Sequence, residues 1–352
     1  VRSPEAEFEP VEVVDRRQIA TPLHTRNLMG HDWRPYQNYL VKGLLNFGVV
    51  GIVAGSKNAG KSPLLLDIGA HVAKGEEWNG HRVKRAHVLY LATEGWTNIG
   101  HRIEAVRREY FAEADSAAID YAAASLDLRT SPKSARAIIA TAKALADRAG
   151  LPSGLIIIDT LSHTLAGASD ADQENVKPAI GYAKMIAAET GAAVLFAQHP
   201  TKNGSSMVRG AGNLEDDTDL TLWVEKEAKG DRRWVSTART KDYGPIDPMA
   251  FDIKKVVLGK DQDGDDLVSV VVSWRPDAAS EFGEKITEDE RAALDDLRNT
   301  TNPTFAGWLS TYSSVRGGSA RDKGMKSKFN RVRASLVNQG LVKKDEEDQY
   351  VI

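Results

Sequence analysis

Through residue 200, short blocks in which nearly every residue is apolar alternate with stretches whose apolar residues recur every three or four positions. Val49 to Ala54, Ala86 to Ala92, Leu155 to Ile158 and Ala192 to Ala197 are blocks of the first kind. Runs without polar alternation predict strands buried on both faces, as in a parallel sheet. Helical spacing follows from Leu64 to Val72, from Asn98 to Tyr110, from Ser134 to Ala149 and from Pro178 to Thr190. Leu126 opens a weaker strand segment, and Ser162 to Lys177 reads as a long polar loop. Alternating strands and helices predict an α/β fold, a mostly parallel sheet flanked by helices.

The pattern changes further along. Trp234 to Ala238, Ala250 to Leu258 and Leu267 to Trp274 alternate apolar with polar residues and predict antiparallel strands. Asp261 to Asp265 makes the turn between the last two; without a closing glutamate it reads as a solvated turn, not a calcium loop. Thr287 caps a helix reaching Arg298, with Glu290 completing the capping box. Two more helices are expected from Phe305 to Ser313 and from Lys323 to Gln339, the latter closed by Gly340, then a hairpin from Leu341 to Ile352. This order looks like a winged helix. Residues 1–38 are polar and proline-punctuated, so the expected organisation is an arm over 1–38, an α/β domain over 39–275 and a small domain over 285–352. The apolar stretch from Tyr39 to Leu45 is expected to pack on the core.

Composition narrows the class. With 352 residues, 41% hydrophobic content and a net charge of −3, the chain reads as an ordinary soluble globular protein. That charge gives no general attraction to nucleic acid, so any such contact must come from local patches. The absence of cysteine removes disulfides, zinc ribbons and thiol catalysis. No apolar run approaches a membrane span and the first residues lack a signal-peptide core, which makes a cytoplasmic location the expectation.

The chemistry is concentrated between the first strand and the first helix. Gly55, Ser56, Lys57, Asn58, Ala59, Gly60, Lys61 and Ser62 match the pattern of a phosphate-binding loop, in which glycines let successive amides and a helix start face phosphate oxygens. Lys61 is expected on the β- and γ-phosphates of ATP, and the Ser62 hydroxyl on the bridging Mg2+. Pro63 is unusual, because the amide at that position ordinarily faces the α-phosphate and proline has none. Glu94, after the second strand, either activates the attacking water or caps the helix near Asn98. Asp159 ends the third apolar run and would hold the magnesium through water. Gln198 can donate to a γ-phosphate, with His199 beside it. Arg102, Arg107 and Arg108 read as the solvated face of their helix.

In this order the segments GEEWNGHRVKRAHVLYLATEG, LIIIDT and FAQHPTKNGSSMVRGAG resemble the RepA-type hexameric replicative helicases, relatives of the DnaB-type and KaiC-like ATPases in the RecA superfamily. The resemblance covers about Tyr39 to Trp274. It implies a RecA-like core, Glu94 as catalytic base, Gln198 and His199 as γ-phosphate sensors, and Arg209 as an arginine finger reaching a neighbouring subunit. Arg239 and Lys241 are similar to the basic pair that DnaB-type enzymes send across the interface, although lysine and arginine are exchanged in order. The partners implied are a homo-hexamer or other ring, single-stranded DNA, and primase or other replication proteins. Lys202, on the loop from Thr201 to Leu214, would track the strand. In the tail, Lys326, Lys328, Arg331 and Arg333 are candidates for DNA contact, with protein docking as the alternative use of such a domain.

Overall fold

The computed structural model describes residues 38–352 apart from 96–97, 113–116, 171, 200–216, 228–229, 282–287, 302, 339–341, 346–348 and 352. The arm at 1–37, Lys202, Arg209, and the caps at Thr287 and Gly340 therefore lie outside the described residues. In chain order the elements are β1 (Tyr39–Val41), β2 (Leu45–Asn46), β3 (Val50–Gly55), α1 (Lys61–Lys74), β4 (His87–Ala92), α2 (Ile99–Tyr110), β5 (Ile119–Ala123) and α3 (Lys133–Ala149). Then come β6 (Ser153–Asp159), α4 (Gln173–Thr190), β7 (Ala193–Gln198), β8 (Leu220–Lys226), β9 (Arg233–Thr240), β10 (Met249–Lys260) and β11 (Asp266–Trp274). The tail holds α5 (Glu288–Arg298), α6 (Phe305–Val315), α7 (Lys323–Asn338), β12 (Lys343–Lys344) and β13 (Tyr350–Val351).

Among the described residues β3 to β11 form one nine-stranded sheet, in the order β11-β10-β9-β8-β3-β7-β6-β4-β5. The strands from β8 to β5 in that order are parallel, and β9, β10 and β11 continue the sheet antiparallel. This is the α/β fold expected, with a RecA-like core. Successive side chains of the central strands serve opposite faces. Val53, Tyr90, Ile157 and Leu195 pack with α1 and α2, whereas Ile52, Leu89, Ile156 and Phe196 pack with α3 and α4. The long hairpin of β10 and β11 folds over the α1 and α2 side, and Trp274 joins that core.

Asp67 ties these layers together. It is buried in α1 and accepts hydrogen bonds from Trp78 Nε1 at 2.7 Å, Tyr110 Oη at 2.7 Å and Trp274 Nε1 at 3.2 Å. Burial raises its carboxyl above the ordinary range despite those donors and the neighbouring His71.

Three expectations are corrected. The strand at the sheet edge is Ile119–Ala123, not a segment opening at Leu126. From Asp127 the chain turns instead, because that carboxylate accepts the amides of Arg129 and Thr130. Secondly, α4 starts inside the expected polar loop, where Asp172 caps it by accepting from the Glu174 amide at 3.1 Å, and Pro178 lies within the helix. The third concerns β8, which pairs directly with β3 yet follows a polar segment that hides it from pattern reading. Tyr39 to Leu45, as expected, packs on the core as the hairpin of β1 and β2.

In the tail, Leu294, Trp308, Tyr312, Phe329 and Leu336 from three helices form a separate core with Val342 and Tyr350 of the terminal hairpin. The order helix, helix, helix, hairpin follows the sequence reading.

Candidate active site

The register of the parallel strands decides which residues meet. Ala92 lies opposite Asp159, Asp159 opposite Ala197, and Gln198 opposite Ala54, so the C-terminal ends of β3, β4, β6 and β7 share one edge. Open α/β sheets bind ligands at that edge. A cavity of about 820 Å3 opens there, lined among others by Asn58, Lys61, Ser62, Glu94, Asp159 and His199.

The loop between β3 and α1 depends on two glycines. A Cβ on Gly55 would sit 2.5 Å from the Val224 carbonyl oxygen, so β8 can approach only a bare backbone. Gly60 has φ +101° and caps α1, a conformation that favours glycine. Lys61 Nζ, without nucleotide, donates to the carbonyls of Gly55 at 2.7 Å and Ser56 at 2.9 Å and lies 3.2 Å from His199 Nδ1. Burial lowers its pKa to about 8, although Asp159 and Glu94 oppose the shift. Burial, and then the Lys61 charge, depress the His199 pKa, so its ring stays neutral and accepts from the lysine.

Asp159 is 1% exposed. Its Oδ2 accepts from Tyr90 Oη and lies 3.9 Å from an Arg102 terminal nitrogen, and its Oδ1 is buried without a partner. Burial and the adjacent carboxylate raise the Tyr90 pKa, which keeps the phenol protonated as donor. The neighbouring strand ends are pinned together, since the Thr160 amide donates to Thr93 Oγ1 at 2.7 Å and Thr93 Oγ1 to the Thr160 carbonyl at 2.9 Å. Glu94 follows and lies 3.4 Å from His163 Nδ1, itself 3.0 Å from Thr160 Oγ1. Gln198 Nε2 donates to Asp170 at 2.9 Å while its Oε1 is buried without a partner.

The donor set fits magnesium. An orphaned carboxylate oxygen on Asp159 shares the cavity with the Ser62 hydroxyl, and both are hard oxygens. Among the described residues no cluster of three or more His, Asp or Glu could hold a metal by itself, which suits an ion completed by phosphate oxygens and water.

A family model described as an AAA domain matches residues 16–205, just over half of the chain. The chain belongs to the AAA domain family. Among solved structures it is similar to the ATPase domain of a helicase, with 14% identity and a TM-score of 0.43, covering 58% of this chain and 81% of that one. No curated protein matches. For this AAA domain the shared edge of the sheet is the nucleotide site of an ATPase.

Sequence reading misses three residues of that site. Arg102, expected outward on α2, lines the cavity, because it is one turn past the buried Ile99 and borders the inward face. Tyr90 carries the single hydroxyl within an apolar strand, and that hydroxyl is the signal that could have found it. Arg233 also lines the cavity, and it reaches the AAA domain's loop only through the pairing of β9 with β8.

Arg239 and Lys241 are placed elsewhere. Arg239 lies opposite Thr221, and Lys241 Nζ donates to Asp219 at 3.0 Å, whose other oxygen accepts the Val50 amide. That is the opposite edge of the sheet, a strand length of roughly 15–20 Å from the phosphate loop at about 3.3 Å per residue. In the tail Lys326 and Arg331 are exposed. Lys328 pairs with Asp289 at 2.8 Å, and Arg333 donates to Tyr350 Oη at 2.8 Å and lies against the Phe305 ring.

Proposed function

We propose that this protein is an ATP-driven, ring-forming motor that translocates on single-stranded DNA, a replicative helicase of plasmid or phage type. The observation that carries the reading is the single edge on which Lys61, Glu94, Asp159 and His199 converge while Arg239 and Lys241 lie at the other. Only a neighbouring subunit could present that basic pair to the site, so their use requires a closed or stacked assembly.

In this mechanism the loop amides and Lys61 hold the phosphates of ATP. Ser62 and Asp159 would hold the magnesium, whose charge offsets that of the β- and γ-phosphates. Glu94 orients the attacking water and accepts its proton as the γ-phosphorus to bridging-oxygen bond breaks, giving ADP and phosphate. Gln198 and His199 report the presence of the γ-phosphate, the former through its contact with Asp170. A basic side chain in trans, Arg209 or the pair Arg239 and Lys241, stabilises charge on the equatorial oxygens. Lys202 and Arg209 lie outside the described residues, so their roles rest on the resemblance.

For the tail we propose a winged-helix-like module, residues 285–352, beside an ATPase domain over 39–275. The internal pairing of Lys328 and Arg333 favours a second reading in which this module docks a protein such as a primase, with DNA contact confined to Lys326 and Arg331. Mass measurement with ATP and single-stranded DNA, paired with an unwinding assay, tests the motor. A ring of defined size that separates a forked duplex is expected. An open filament that hydrolyses ATP without unwinding would replace this reading with a recombinase-like or KaiC-like ATPase. DNA binding that merely follows nucleotide state would point to a switched regulator.

A further inference from the structure

Arg233 is the first residue of β9, at the phosphate edge, opposite Lys226 on one side and Phe251 on the other. It is 6% exposed and lies against the loop, so that a Cβ on Gly60 would stand 3.1 Å from Arg233 Cδ and 3.4 Å from its Nε. It lines the cavity that Asn58, Lys61 and Pro63 also line. One terminal nitrogen donates to the Asp231 carbonyl and the other lies 3.9 Å from the Asp231 carboxylate, but Nε is buried with no partner. Buried donors are nearly always satisfied, and one left open at a cavity wall marks a place for an acceptor. Burial lowers the arginine's pKa, only partly offset by Asp231 and Asp252.

Pro63 supplies the second observation. It is the third residue of α1 and has no amide hydrogen, so the loop lacks one of the donors that such loops aim at the α-phosphate. We propose that Arg233 is a nucleotide-binding residue of its own subunit's site, giving the phosphate chain a cation and an Nε–H donor in place of the amide that Pro63 lacks. This rests on reading the loop as the ATP site. Such a residue acts in cis, and it is distinct from the trans finger. Guanidinium suits the task because it remains charged when buried and donates in a fixed plane to phosphate oxygens.

The test is a set of titrations with ATP, ADP and adenosine on wild type, Arg233→Gln, Pro63→Thr and the double variant. Arg233→Gln is expected to weaken ATP and ADP about tenfold alike, the scale of a charge-assisted hydrogen bond, and to leave adenosine unchanged. Pro63→Thr restores an amide, so it should tighten binding several-fold more in the Arg233→Gln background than in wild type. Arg233→Lys, which keeps charge and bulk but lacks Nε–H in a guanidinium plane, serves if Arg233→Gln unfolds; intermediate affinity is expected. Equal loss for adenosine and ADP would mean that Arg233 only props the loop, and equal gains from Pro63→Thr in both backgrounds would break the link to the missing amide. Either result overturns the proposal. If wild type binds neither ATP nor ADP, the nucleotide site itself is wrong.

Discussion

Tyr90 donates its phenolic hydrogen to Oδ2 of Asp159, and Oδ1 of the same carboxylate is buried without a partner. The phenol fixes one oxygen and so fixes where the other points. Groups that orient a metal-holding carboxylate typically contribute ten- to a hundredfold to affinity or activity. Tyr90→Phe is therefore expected to raise the magnesium concentration needed for half-maximal ATP hydrolysis by about tenfold, with nucleotide binding in chelator unchanged. A magnesium dependence equal to that of wild type would remove Tyr90 from the site.

Glu94 carries the proton-transfer role. Glu94→Gln preserves size and removes the base, so hydrolysis should fall about a hundredfold or more while ATP binding persists. His163, 3.4 Å from Glu94, orients it, and His163→Ala should cost a smaller factor, about ten. Retention of wild-type turnover in Glu94→Gln would return that residue to helix capping.

Lys61→Ala should abolish hydrolysis without changing the fold, as judged by circular dichroism. Mixed with Arg209→Ala subunits it should regain activity if Arg209 works in trans, because a mixed interface pairs an intact loop with an intact arginine. The same mixture made with Arg239→Ala tests the pair on the far edge of the sheet. The variant whose mixture with Lys61→Ala recovers turnover identifies the finger.

Asp67 links stability to pH. Its carboxyl is raised above 3.8, the ordinary value, by burial, so its contribution is full below about pH 3.8 and declines as pH rises through the raised folded value. The stability difference between wild type and Asp67→Asn should then be largest in acid and shrink toward neutral pH, as read from urea unfolding between about pH 4 and 8. Asp67→Ala would leave the Trp78, Tyr110 and Trp274 donors without their acceptor and should destabilise by about 3 kcal/mol or more.

How much of this is written in the chain differs by kind of interaction. The loop from Gly55 to Ser62, the apolar runs ending at Glu94, Asp159 and Gln198, and the helix-hairpin order of the tail are legible, because they rest on local requirements: backbone curl, burial on both faces, and capping. Asp127 and Asp172 show where local reading falls short, since single side chains capturing nearby amides move a strand and start a helix early. Lys328 and Arg333 look like surface charge in the chain, and only packing reveals their partners. Arg102, Tyr90 and Arg233 become site residues through strand order and register, which join positions far apart in the chain. Residue types at each strand end are determined by the sequence alone, whereas which ends share an edge, and that Arg239 and Lys241 lie away from it, depends on pairing across the sheet. Hydrogen bonds between strands carry no mark in the local pattern of either strand, and so the tertiary structure alone decides them.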